Sequence, residues 1–133
     1  HKYEHTKREK TMSANTIVIA GNLTADPVLR STNSGKSVAN FTIADTPRYQ
    51  DSASGEWRDG EPLFQRVVIW GSAAENVAES LARGTRVVVT GHLAARSYDD
   101  GNGETKTYTE VVADEVGVSL KFATATPTRT TRS

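Results

Sequence analysis

The residues with the clearest chemical potential lie in Leu63-Phe64-Gln65-Arg66-Val67-Val68-Ile69-Trp70. In a strand, successive side chains alternate faces. Leu63, Val67 and Ile69 then form an apolar core stripe, interrupted by Gln65. Phe64, Arg66, Val68 and Trp70 take the other side. Two large rings beside a guanidinium suit a surface that stacks flat π systems and meets anions. The segment Thr85 to Tyr98 repeats the split. Val87, Val89, Gly91 and Leu93 share one face. Arg86, Val88, Thr90, His92, Arg96 and Tyr98 share the other. Aromatics are favoured in strands in any case, and a helix or another subunit can cover either face. The agreement of two strands carries the reading, not either strand alone.

Other reactive groups make weaker sites. The chain has no cysteine, which excludes thiolate zinc sites, thiol catalysis and disulfides. After Met12 the only histidine is His92. It has no neighbours of metal-ligand type, and no nucleophile and orienting carboxylate accompany it. No metal, no cofactor and no enzymatic activity are expected. Asp99, Asp100 and Glu104 resemble a calcium loop, but Asp99-Asp-Gly-Asn-Gly-Glu104 reads better as a hairpin turn. Trp57 sits in a polar loop. Its ring either steadies that loop or makes an extra contact with a ligand or a subunit.

The elements that must position these residues are mostly strands. Ile17 to Ala20 is extended and ends at Gly21-Asn22. Val28-Leu29-Arg30 is a second short piece, closed by Asn33-Ser34-Gly35-Lys36. Ser37 to Asp45 alternates, with Ala39, Phe41 and Ile43 on one face and Val38, Asn40, Thr42 and Ala44 on the other. Residues 46–62 form a long polar stretch, a length often tied to function. Ser72-Ala73-Ala74-Glu75 has the form of a capping box opening a helix. Ala74, Val77, Ala78 and Leu81 supply its apolar stripe, and Gly84 is placed to serve as its C′ residue. Thr105 to Ala113 returns from the hairpin, and Val116 to Phe122 adds a sixth extended segment. The order predicts a mainly β fold: a five-stranded OB-fold barrel, one short helix between the third and fourth strands, and an extra C-terminal strand.

Composition bounds the rest. The chain has 133 residues, enough for one domain. Residues 1–11 are charged and aperiodic and read as a tag remnant or a disordered arm; residues 12–122 read as the domain and 123–133 as a disordered tail. Residues 12–122 hold 10 Lys/Arg against 14 Asp/Glu, a net of −4. Bulk charge therefore argues against a nucleic-acid partner, and any such case rests on where the cations sit. No apolar run approaches the roughly 20 residues needed to span a bilayer. A soluble, cytoplasmic domain is expected.

Several motifs together resemble the bacterial single-stranded DNA-binding protein family. They are Gly21-Asn22-Leu23, Asp26-Pro27, Val38-Ala39-Asn40-Phe41, Arg66-Val67-Val68-Ile69-Trp70-Gly71, Leu81-Ala82-Arg83-Gly84, Val88-Val89-Thr90-Gly91 and Tyr108-Thr109-Glu110-Val111-Val112. The likeness covers roughly residues 14–113. It implies an OB-fold that assembles as a homotetramer, associates with the nucleoid and holds single-stranded DNA during replication, recombination and repair. It implies stacking at Tyr49, Phe64, Trp70 and Tyr98; Tyr49 enters only through the likeness. It implies basic contacts at Arg66, Arg83 and Arg96, to which strand alternation adds Arg86. Residues 114–122 resemble the actinobacterial branch, where an extra strand can clasp a neighbouring subunit. Departures are Ser72 where lysine is frequent, Gln65 where histidine is frequent near the subunit interface, and no acidic tail with a hydrophobic tip, which marks either a truncated chain or a paralogue that does not recruit repair and replication proteins. Two rival readings are an OB-fold protein-interaction module and an OB-fold RNA binder.

Overall fold

The structure, a computed structural model, describes residues 16–130. The expectation for residues 1–11 lies outside the described residues, as do residues 12–15 of the expected domain and residues 131–133.

Six strands share one sheet in the order β1-β7-β8-β6-β3-β2. They are β1 (Thr16–Leu23), β2 (Val28–Ser31), β3 (Ser37–Asp45), β6 (Leu63–Trp70), β7 (Arg86–Asp99) and β8 (Thr105–Val118). A second pairing of β1, with β3, closes the sheet on itself. Most of β1 runs antiparallel to β7, but Asn22 and Leu23 also pair with Ala44 and Ile43 of β3. Gly21 permits that closure. A Cβ there would come within 2.7 Å of the Ala44 carbonyl oxygen, a backbone atom that cannot step aside.

The core lies inside this ring. Alternation places Ala39, Phe41 and Ile43 of β3, Val67 and Ile69 of β6, Val87 and Val89 of β7 and Val111 of β8 in one cluster. Helix α1 (Ser72–Ser80) caps it with Ala74 and Val77, joined by Leu81 just beyond the helix. The mainly β, OB-fold expectation holds, including the single helix between β6 and β7.

Four local expectations need correction. The capping box does not form: the N-cap is Gly71, Ser72 is the first helical residue, and no side chain caps the end. The Gly71 carbonyl already accepts the Ala74 N–H at 2.9 Å, and Glu75 instead accepts a hydrogen bond from the Ser37 hydroxyl at 2.7 Å. Gly84 is not the C′ residue. The chain leaves the helix at extended Leu81, and Gly84 sits in a later turn closed by Thr85 N–H to the Ala82 carbonyl. Residues 46–62 are not irregular throughout, since β4 (Arg48–Gln50) and β5 (Trp57–Asp59) pair as a separate hairpin. There is no separate sixth segment at 116–122. β8 runs on to Val118 past a register shift, and residues 119–130 carry neither helix nor strand.

That register shift falls opposite Thr90 and Gly91, where Asp114 is the extra residue on β8. Gly91 is required there. A Cβ would run into the Val112 carbonyl oxygen and come within 2.9 Å of the Ala113 Cα. Past the shift, β7 and β8 continue as a ribbon whose far half is exposed. Leu93, expected in the core, is therefore 36% exposed.

Candidate nucleic-acid interface

β6 is flanked by β3 on one side and β8 on the other. Its odd-numbered side chains Val67 and Ile69 enter the core, so its even-numbered ones turn outward. Phe64 is 64% exposed and Trp70 45%. Arg66 lies exposed between them. Two neighbours depart from simple alternation. Val68 is on the outer side yet buried. It sits mid-sheet, in register with Asn40 of β3 and Val112 of β8, and neighbours on both sides can cover a short side chain. Leu63, placed in the core stripe by sequence, is exposed. β8 pairs with β6 only over Arg66–Val68, so Leu63 lies beyond its cover. Gln65 interrupts the stripe for a reason: its amide donates to the carbonyls of Arg66 and Thr109, at 3.1 and 3.3 Å.

Register carries the outer face onward. Arg66 neighbours Glu110 of β8, Glu110 neighbours Ala94 of β7, and Tyr108 neighbours Arg96. Phe64, Arg66, Tyr108, Glu110, Arg96 and Tyr98 thus share one side of three adjacent strands. The Arg66 guanidinium lies 4.3 Å from the Tyr108 ring centroid. The Tyr108 and Tyr98 rings are 6.1 Å apart and tilted by 56°. Cation, ring and ring form a continuous row.

Tyr108 is a candidate site residue that alternation alone did not single out. The signal was present, because the Asp99–Glu104 turn fixes which residue of the return strand faces Arg96. That turn is held by Asp100, whose carboxylate accepts the N–H groups of Asn102 and Glu104. Arg30 is a second such residue. It pairs with Val38, which pairs with Trp70, so a cation lies two strands from the indole on the same side. An open groove of about 380 Å³ joins these parts, lined by Arg30, Asn40, Thr42, Arg66, Tyr108 and Glu110 among others. The Asn40 side-chain oxygen is buried without a hydrogen-bond partner among the described residues.

The expected cations differ in their surroundings. Arg96 donates from Nε to Glu110 Oε1 at 2.5 Å. That hydrogen bond, with the carboxylate charge, holds the guanidinium pKa above its ordinary value. Arg86 lies at the opposite end of the 14-residue β7 from Tyr98, paired with Asn22. Arg83 is exposed in the turn after the helix, its N–H donated to Asp26 Oδ1 at 2.9 Å, while Asn22 Nδ2 donates to the Gly84 carbonyl. Asn22 and Asp26 thus hold the turn that presents Arg83. The fold does not bring Arg83 and Arg86 to the aromatic row.

Tyr49 and Trp57 stand on the β4–β5 hairpin, in its own two-stranded sheet. Tyr49 pairs with Arg58 and Trp57 with Gln50, so the two rings turn to opposite sides. The Arg48 guanidinium lies 5.7 Å from the Trp57 ring centroid. The hairpin tip is tied by Asp51, which accepts from the Ala53 N–H at 2.9 Å and from Arg58 Nε at 3.1 Å. These bonds, the Ala53 one foremost, lower the Asp51 pKa from its ordinary 3.8. His92 lies 3.9 Å from Asp114. Among the described residues no cluster of His, Cys, Asp and Glu is arranged to hold a metal ion.

Comparison with known proteins places the chain in a family and agrees with its fold. The family described as "Single-strand binding protein family" matches residues 14–119. The chain is 59% identical over 118 residues to the single-stranded DNA-binding protein of Mycobacterium leprae, covering 89% of this chain and 70% of that one. It is 57% identical to that of Paenarthrobacter aurescens, covering 89% and 69%. Among solved structures, the small single-stranded DNA-binding protein from Streptomyces coelicolor superposes with a TM-score of 0.72 at 32% identity, covering 86% of this chain and 100% of that one. A Plasmodium falciparum SSB in complex with ssDNA shares the fold at a TM-score of 0.72 and 24% identity, covering 82% and 97%. A closed sheet with an outward row of rings and arginines, matched over nearly all its described length, belongs to the single-strand binding protein family.

Proposed function

We propose that this chain binds single-stranded DNA with little regard for sequence and protects it during replication, recombination and repair. The observation that carries the reading is the outward row on β6, β8 and β7: Phe64, Arg66 and Trp70 with Tyr108 and Tyr98, in a chain of this family. Unpaired bases expose flat faces to such rings, and every base has one, so binding tolerates any sequence. Stacking is worth about 1–3 kcal/mol per base, a figure taken from single-stranded DNA-binding proteins themselves and not from this geometry. Arg66 supplies positive charge in the row, with Arg30 beside it and Arg83 and Arg86 farther along the surface, while Arg96 is paired with Glu110. Tyr49 meets the strand from one face of the hairpin, and Trp57, on the opposite face, makes an extra contact with DNA or a subunit. The proposal contains no catalytic step and no cofactor. Assembly as a homotetramer in the cytoplasm, at the nucleoid, belongs to the same proposal on the strength of the family likeness.

Competition among oligo(dT), oligo(U) and a duplex of equal length tests it. Oligo(dT) is expected to bind best, and the duplex at least tenfold more weakly, about 1.4 kcal/mol. Equal, weak binding of single strand and duplex contradicts the proposal and favours a protein-interaction role. Preference for oligo(U) favours an RNA partner.

A further inference from the structure

We propose that Glu110 is a built-in counter-ion that withholds Arg96 from the phosphate backbone and so limits how many phosphates the interface neutralises. The proposal rests on the stacking reading above. Glu110 stands in the middle of the outer face, between Arg66 of β6 and Ala94 of β7 in register. Its side chain is only 15% exposed, whereas that of Arg96 is 49% exposed. The 2.5 Å contact joins a charged donor to a charged acceptor, the stronger class of hydrogen bond. It differs from the pair of Arg48 and Asp59, where 3.6 Å separates two side chains that are both mostly in water.

A phosphate that approaches Arg96 meets a guanidinium whose charge this carboxylate already offsets, and one that takes the Nε–H must displace the carboxylate. Displacing it would leave Glu110 largely covered, unpaired and beside a second anion. Breaking such a pair costs more than an exposed contact returns. The pair therefore persists when DNA is bound. Arg96 then serves the face as the positioning partner of Glu110, and Arg66, whose guanidinium lies over Tyr108 and makes no ion pair among the described residues, is the cation left to meet phosphate in the row. Binding depends on rings more than on charge, and its salt dependence is shallower than the number of arginines suggests.

The test is the slope of log K against log salt for oligo(dT), measured on the full chain and three variants. Glu110→Gln is expected to free Arg96 and steepen the slope by about 0.7, one further phosphate on a single strand. That change corresponds to binding about threefold tighter at 0.2 M salt, for proteins matched at 1 M. Arg96→Gln is expected to keep the parent slope. Glu79→Gln, on the exposed side of the helix, removes a charge elsewhere and is expected to keep it too. A Glu110→Gln slope equal to the parent's overturns the proposal, as does an Arg96→Gln slope flatter by about 0.7. If Glu110→Gln does not fold, the Arg96→Gln arm decides alone. A parent that does not bind oligo(dT) at all overturns the stacking reading, and this proposal with it.

Discussion

At the scale of single residues, the interface reduces to which side chains a strand turns outward. Trp70→Ala is expected to weaken oligo(dT) binding by about 1–3 kcal/mol, read by titration. Tyr108→Ala is expected to cost a similar amount and to release Arg66 from its ring; unchanged affinity would remove Tyr108 from the site. Alternation in the sequence identified Phe64, Arg66 and Trp70 as a set because a strand has only two sides. It did not give the burial of Val68 or the exposure of Leu63, because burial depends on the strands alongside, and the extent of the β6–β8 pairing is not written in β6 itself. Tyr108 and Arg30 were missed for the same reason, since each joins the site through register with another strand. The Arg96–Glu110 pair depends on a hairpin that brings residues 14 apart together.

Elements supply the frame, and two of them carry their own tests. Gly91→Ala puts a methyl group against the Val112 carbonyl, where only backbone movement can relieve it. Such overpacking typically costs about 1–3 kcal/mol, and thermal unfolding should show at least that loss. A Gly91→Ala variant as stable as the parent would contradict the close β7–β8 approach. The β4–β5 hairpin depends on ionised Asp51. A carboxyl whose pKa is lowered in the fold stabilises above its ordinary value, here 3.8, and that stabilisation is lost as pH falls through the lowered one. Trp57 emission and Ala53 amide protection should hold from neutral pH down to about 4.5 and change only below 3.8. A change at neutral pH would mean that another group ties the tip. The hairpin was illegible in the sequence because its two strands are three residues each, too short for a periodic pattern. The capping box failed differently: Glu75 found Ser37, 38 residues away, a partner that no local motif reveals.

For the whole molecule, fold class, the single helix and the family likeness were legible because they rest on element order and on motifs spread through the chain. Charge pointed the other way, since residues 12–122 carry a net of −4. The structure gathers rings and an arginine on one outer face, and under the proposed function affinity would come from stacking more than from bulk charge. The most direct test uses Trp57→Phe, which leaves Trp70 as the sole tryptophan of a chain that has two. Titration with oligo(dT) is predicted to quench Trp70 emission to a saturating limit as bases stack on the indole. Emission that stays constant through the titration, or a Trp70→Ala protein that binds as tightly as the parent, would contradict the stacking interface.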